Sequence, residues 1–269
     1  MNVKSESRRV SASDYVNSLA ASGRQFFSSQ EMRTALGVSA AAVRLALHRL
    51  AKKKFIASPA RGSYVIVAPE YRSVGCLPAD QFIPALMKKR NSAYYTGLLS
   101  AAQYHGAAHQ RPQQFQVFLA VNRRPIQCGE VRVVFFARKH LKHVAVMSFN
   151  TPRGTVLVST PEATAIDLVG YAHKIGGLNH TATILSELVE RINPKKLAAA
   201  AATAPISWAQ RLGYMLDQLG HSSITGPLKE YVRMQAKQSA LLVPKAMRGR
   251  AKRNKDWKLF VNAKVKSEL

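Results

Sequence analysis

Ser39, Ala40, Ala41, Arg44 and His48, followed by Lys52, Lys53, Lys54 and Arg61, are the residues best placed by type and spacing to do chemistry. The chemistry is recognition of a nucleic acid. On a helix, positions 40, 41, 44 and 48 share one face. The small side chains of Ala40 and Ala41 let such a helix approach a DNA groove closely, and Arg44, one turn further on, reaches a guanine edge or a phosphate. Lys52, Lys53, Lys54 and Arg61 are expected to hold phosphates, which set position and salt dependence and leave Arg44 as the base reader.

The elements that must position these residues are legible around them. Ser28 or Ser29 can cap a helix with its body at Gln30–Leu36, with Glu31 in the first turn, where its charge suits the helix dipole. Gly37 stops that helix and Ser39 caps the next. Val43, Ala46, Leu47 and Leu50 then fall at the spacing of one buried helical face. Phe55–Ala57 and Ser63–Val67 alternate like strands around a turn containing Pro59 and Gly62, with Arg61 at its tip. Ser11–Ser22 reads as a preceding helix with Tyr15, Val16, Leu19 and Ala20 on one side. The sum is a winged helix-turn-helix over residues 1–72.

Composition supports a polyanion partner. Forty Lys and Arg face 14 Asp and Glu, a formal net charge of +26 over 269 residues. Residues 88–142 hold 10 cations against Glu130 alone, and residues 245–266 hold 9 against Asp256 alone. With 47% hydrophobic residues there is material for sizeable cores and no reason to expect global disorder. No apolar run approaches a membrane span of about 18 residues, and Met1–Glu6 does not read as a signal peptide. A cytoplasmic location is expected. Cys76 and Cys128 are too few for a disulfide framework or a zinc site and read as inert thiols of a reducing compartment.

Residues 69–84 break periodicity around Gly75 and Pro78 and read as part of a linker, set at 73–90. A larger domain is expected over 91–269, giving a mixed α/β chain. A helix at Ala93–His105 is followed by four strand-like runs, Phe115–Val121, Val131–Phe136, Val144–Phe149 and Thr155–Ser159. Thr160 caps and Pro161 begins a helix through Tyr171. Helices over His180–Ile192, Pro194–Thr203, Ile206–Leu219 and Leu228–Ala236 make a helical half, and Trp257–Val261 returns as a strand after a basic loop.

Other constellations are weaker. Arg211 sits on an apolar helix and is expected to pair with Asp167 or Glu162. His105 and His109 have a spacing a metal can bridge on a helix, but Gly106 interrupts it and no acid or cysteine stands near. Glu162 and Asp167 lie too far round a helix to share acid–base work. Glu130 with Asp256 and Lys258 is the minimal set for the rival reading, a metal-dependent nuclease; an RNA-binding adaptor is the other alternative. No metal or cofactor is expected.

Four passages resemble the AbiEi family of antitoxins: Gly37–Ile66, Tyr94–Ala108 (YYTGLLSAAQYHGAA), Val158–Val169 (VSTPEATAIDLV) and Ala209–Gly220 (AQRLGYMLDQLG). The resemblance implies a non-enzymatic antitoxin of an abortive-infection, phage-defence toxin–antitoxin operon. It implies that the winged helix represses the operon by binding inverted repeats in the promoter. The larger domain would counteract a nucleotidyltransferase-like toxin, without requiring a stable complex. Arg211, Glu162 and Asp167 are the candidates in that domain. The chain departs from the pattern by its basic segment, Lys245–Lys258.

Overall fold

A computed structural model describes residues 10–107 and 112–266. The chain forms two compact units. One comprises residues up to 92 with 124–134 and 150–156; the other comprises 93–123, 135–149 and 157 onward.

The first unit begins α1 (Ala12–Ala21), β1 (Phe26–Ser28), α2 (Ser29–Leu36), α3 (Ala40–Lys52), β2 (Ile56–Ala60), β3 (Ser63–Ile66). Capping fixes where its helices start. Ser11 with Asp14, and Ser28 with Glu31, form reciprocal capping boxes, and Ser39 accepts from the Ala42 N–H at 3.2 Å. Gly37 ends α2 in the left-handed region at φ 62°, a conformation glycine adopts without strain. Tyr15, Val16, Leu19, Phe27, Met32, Val43, Leu47, Leu50, Ile56 and Ile66 close one core. The expected hairpin is present and gains a third strand, with β1 antiparallel to β3 in the order β1-β3-β2.

The segment expected as a linker carries a helix, α4 (Ala79–Lys89), with Phe82, Ile83, Leu86 and Met87 fully buried. Pro84 lies inside it. The prolines and Gly75 masked the amphipathic pattern, and burial of one face sustains the helix despite the lost backbone donor.

The remaining elements are β4 (Tyr95–Thr96), α5 (Leu98–Tyr104), β5 (Phe115–Leu119), β6 (Ile126–Cys128), β7 (Val131–Ala137), β8 (Val146–Thr151), β9 (Gly154–Ser159) and α6 (Pro161–Gly170). Then come α7 (Gly177–Leu188), α8 (Pro194–Ala201), α9 (Ile206–Gln218), α10 (Gly226–Gln235), β10 (Ala240–Leu241), β11 (Lys252–Asn254) and β12 (Leu259–Val261). The central sheet has six strands, ordered β6-β7-β5-β4-β9-β8. Four of them were expected. Ile126–Cys128 and Tyr95–Thr96 were too short to show a period.

The helix expected at Ala93–His105 therefore starts late. Tyr95 stacks on Phe118 of β5 at 4.9 Å, and a Cβ on Gly97 would stand 2.4 Å from the Phe118 ring. That approach holds Tyr95–Thr96 extended before α5 can begin. In the second unit, the basic segment expected as a loop contains edge strand β11 of a sheet ordered β10-β12-β11.

In the second unit, α9 anchors the returning C-terminal segment. Its Gly213 faces the fully buried Trp257, whose ring would lie 2.0 Å from a Cβ at that position. Trp257 is itself fixed by its indole N–H donating to Asp217 at 2.6 Å. Gln210 donates to the Gln238 and Lys258 carbonyls at 3.0 and 2.8 Å, so one helix face pins the returning segment. Gly213→Ala must therefore overpack this contact, and it is expected to destabilise the second unit by ~1–3 kcal/mol. Both tryptophans belong to that unit, so urea unfolding followed by tryptophan fluorescence reports it directly. An unchanged midpoint would contradict the packing argument.

Candidate functional site

The first unit presents a basic groove of about 340 Å³ lined by Ser29, Gln30, Arg33, Ala40, Val43, Arg44, Leu47, Arg61, Gly62 and Tyr64. Three guanidinium side chains thus come to one concavity, from α2, α3 and the β2–β3 turn. Arg44, Arg61 and Ala40 are brought together as site residues. Arg33, in the last turn of α2, was missed by sequence reasoning. Its signal was an exposed cation ending the helix before the tight turn at Gly37.

The turn that carries Arg61 is anchored three ways. The Lys89 ammonium donates to the Gly62 carbonyl and the Ser63 hydroxyl, both at 2.8 Å, and the Ser29 N–H donates to the Gly62 carbonyl at 3.3 Å. Gly62 takes φ 68°, which favours glycine in this turn.

Ala41 and His48 are exposed on α3 outside the groove lining, and Ser39 is committed to capping. Lys52, Lys53 and Lys54 are exposed where α3 ends; the Lys54 and Phe55 N–H groups bond back to the Ala51 and Leu50 carbonyls. A further residue not anticipated is Leu45, 52% exposed beside Arg44. Glu31 is held by Arg24 at 2.7 Å and by the Ser28 N–H at 2.6 Å. Burial raises the Glu31 carboxyl, but these bonds outweigh it and keep the carboxyl below its ordinary range.

In the second unit the most constrained polar cluster is interior. Asp167 is fully buried on α6 and accepts from the Tyr95 hydroxyl at 2.7 Å and from Arg138 Nε at 2.9 Å. Arg138, at the end of β7, also donates to the Thr203 carbonyl at 2.9 Å and lies 5.0 Å from the Trp208 ring centroid. Tyr171 donates to the Ala137 carbonyl alongside. Burial pushes the Asp167 carboxyl up, against Arg138 and Tyr95, which favour its charge. Every Asp167 bond is internal, so the cluster ties α6, β4 and β7 together.

Residues 95–218 match the AbiEi antitoxin C-terminal domain. This stretch belongs to the AbiEi antitoxin family. The chain also resembles the crystal structure of the RV2827C protein from Mycobacterium tuberculosis, with a TM-score of 0.65, 17% identity, and coverage of 92% of this chain and 90% of that one. That likeness is one of fold. A nucleotidyltransferase-like protein from Paracoccidioides brasiliensis aligns over 56% of this chain and 90% of its own, with a TM-score of 0.37 and 12% identity. No curated protein sequence matches significantly.

Inside the AbiEi domain the expected pairing of Arg211 is corrected. Arg211 donates Nε to the Leu241 carbonyl at 2.8 Å, and neither Asp167 nor Glu162 is its partner. Asp167 is taken by Arg138, and Glu162 accepts from the Asn193 N–H at 2.9 Å. Both expected carboxylates are satisfied by partners that only the folded chain supplies. His105 donates Nε2–H to the Ser159 carbonyl at 2.7 Å, and burial lowers its pKa; His109 lies outside the described residues. Asp256 pairs with Lys229 at 2.7 Å, and the Lys258 ammonium donates to the Arg233 and Ala236 carbonyls. Among the described residues no group of three or more His, Cys, Asp or Glu is placed to hold a metal, and no helix is long and apolar enough to cross a membrane.

Removing Arg138 leaves a buried carboxylate uncompensated. Arg138→Ala is expected to cost ~3–5 kcal/mol. In that variant Asp167 loses the cation that favours its charge, so its folded pKa rises further above the unfolded value. Stability should then be greatest at acid pH, where Asp167 is protonated in both states, and fall as pH rises toward that folded pKa. Melting the variant at pH 5 and pH 8 checks the sign; no loss relative to the wild type at pH 8 would contradict it.

Proposed function

We infer that the chain is an antitoxin that also represses its own operon, acting on DNA through the first unit and on a toxin through the AbiEi domain. The observation that carries the DNA reading is the groove that joins Arg33, Arg44 and Arg61, beside the exposed N-terminal half of α3. The element order α1-β1-α2-α3-β2-β3 is that of a winged helix, with α3 as recognition helix and the β2–β3 turn as wing. On this reading Arg44 enters the major groove and reads a guanine through two donors, while Arg61 and Arg33 grip phosphates on either side. Lys52, Lys53 and Lys54 add positive charge where α3 ends, and His48 flanks the reader.

The antitoxin half of the reading comes from the AbiEi domain, which implies a cognate toxin. A nucleotidyltransferase-like enzyme encoded beside this chain is the proposed partner, antagonised with or without a stable complex. A non-enzymatic role is supported by how the second unit spends its carboxylates. Asp167, Glu162, Asp217 and Asp256 each have an internal partner, so the rival nuclease set of Glu130, Asp256 and Lys258 has its Asp and Lys already engaged.

The test is binding to the DNA upstream of the chain's own gene, measured across salt. With roughly six to ten phosphates neutralised, affinity should fall ~10³–10⁵-fold between 50 and 200 mM salt. Arg44→Ala should cost ~1–3 kcal/mol on the specific site and relax base preference, whereas Arg61→Ala should weaken specific and nonspecific DNA alike and reduce the salt slope by about one. A double variant with unchanged affinity would sink the DNA assignment. Co-expression of the neighbouring gene with the AbiEi domain alone should restore growth; growth arrest despite soluble domain would sink the antitoxin half.

A further inference from the structure

Cys76 and Cys128 lie in the first unit, 52 positions apart in sequence, and the fold brings their sulfurs face to face. The Cys76 thiol donates to the Cys128 sulfur at 2.7 Å, with the two residues 0% and 3% exposed. Their backbones are held from both sides. The Glu130 N–H donates to the Val74 carbonyl at 2.8 Å, and the Gly75 N–H to the Tyr71 carbonyl at 2.9 Å. Gly129 packs so closely that a Cβ there would stand 2.2 Å from the Val74 carbonyl oxygen. β6 and β7 keep Cys128 in register opposite Val131. The close approach is thus supported by main chain on both sides of the contact, the bend that carries Cys76 and the strand that carries Cys128.

We propose that Cys76 and Cys128 are a reversible dithiol–disulfide site, oxidised by small hydroperoxides and reduced by thiols. The shared hydrogen bond divides the roles. Donation from Cys76 draws the Cys128 sulfur toward thiolate against its burial, while the same bond and burial push the Cys76 thiol up. Cys128 is therefore the first nucleophile. Its thiolate attacks a peroxide oxygen, so an S–O bond forms, the O–O bond breaks, and the departing hydroxide takes a proton to leave as water. Cys76, deprotonated as it attacks, then forms the S–S bond; the sulfenic oxygen leaves as hydroxide and takes that proton as a second water. Two thiols and one hydrogen peroxide give one disulfide and two waters. An external dithiol reverses the change through a mixed disulfide.

The site does not rest on the DNA reading, and its test needs no DNA. The full chain is exposed to hydrogen peroxide, quenched, unfolded, alkylated and weighed intact. Met247, 92% exposed, serves as an internal measure of peroxide dose through its sulfoxide. The expected result is joint loss of both alkylatable thiols in a chain lighter by two hydrogens, before Met247 oxidises, with both thiols restored by dithiothreitol. Cys76→Ser should divert Cys128 to sulfinic acid or to a link between chains. Two thiols still alkylatable after Met247 has oxidised would overturn the proposal. So would wild-type chains linked to each other in place of an internal bridge.

Discussion

Fourteen carboxylates must serve a chain with forty lysines and arginines, and where they go governs the rest of the structure. An acid is worth most where it organises the interior or a helix start, and several of them serve there. Asp14 and Glu31 complete capping boxes, Glu162 holds the entry to α8, Asp167 neutralises the buried Arg138, and Asp217 fixes Trp257. Arg33, Arg44 and Arg61 remain without an acidic partner among the described residues, and they converge on one groove. A surface of unsatisfied guanidinium groups is an electrostatic preference for phosphate before any base is read.

The Arg138–Asp167–Tyr95 cluster shows the other side of this constraint. A buried ion pair contributes little net stability compared with an apolar replacement, because desolvation consumes most of the attraction. Its value lies in its directionality. Two carboxylate oxygens, a phenol and a guanidinium can be satisfied together only when β4, the end of β7, α6 and the turn after α8 are in one arrangement. The stacking of Tyr95 on Phe118 and the edge-on contact of Trp208 with Tyr171 then fill the apolar space around it.

Legibility in the sequence followed the range of the interaction. Ser28, Ser39, Gly37 and Gly62 declare the helix starts, stop and turn through contacts a few residues long, so the frame around Arg44 and Arg61 could be read directly. Arg33 escaped because its role depends on α2 and α3 sharing a concavity. The pairing of Asp167 could not be read, because Arg138 and Tyr95 lie 29 and 72 positions away, and Arg211, expected to pair with Asp167 or Glu162, is satisfied by the Leu241 carbonyl. The approach of Cys76 to Cys128 was hidden for the same reason, since 52 positions separate them. α4 was hidden by Pro84, whose cost is offset by burial that no local pattern reveals.

Phosphate attraction and base reading make different demands, and in the proposed function it is Arg44, one turn into α3, that adds the second to the first. Footprinting the protein on the few hundred base pairs upstream of its own gene, with competitor DNA at near-physiological salt, tests that claim most directly. The account predicts two protected half-sites related as an inverted repeat. Protection spread without preference along the fragment would contradict it, leaving a basic surface that binds DNA without reading it.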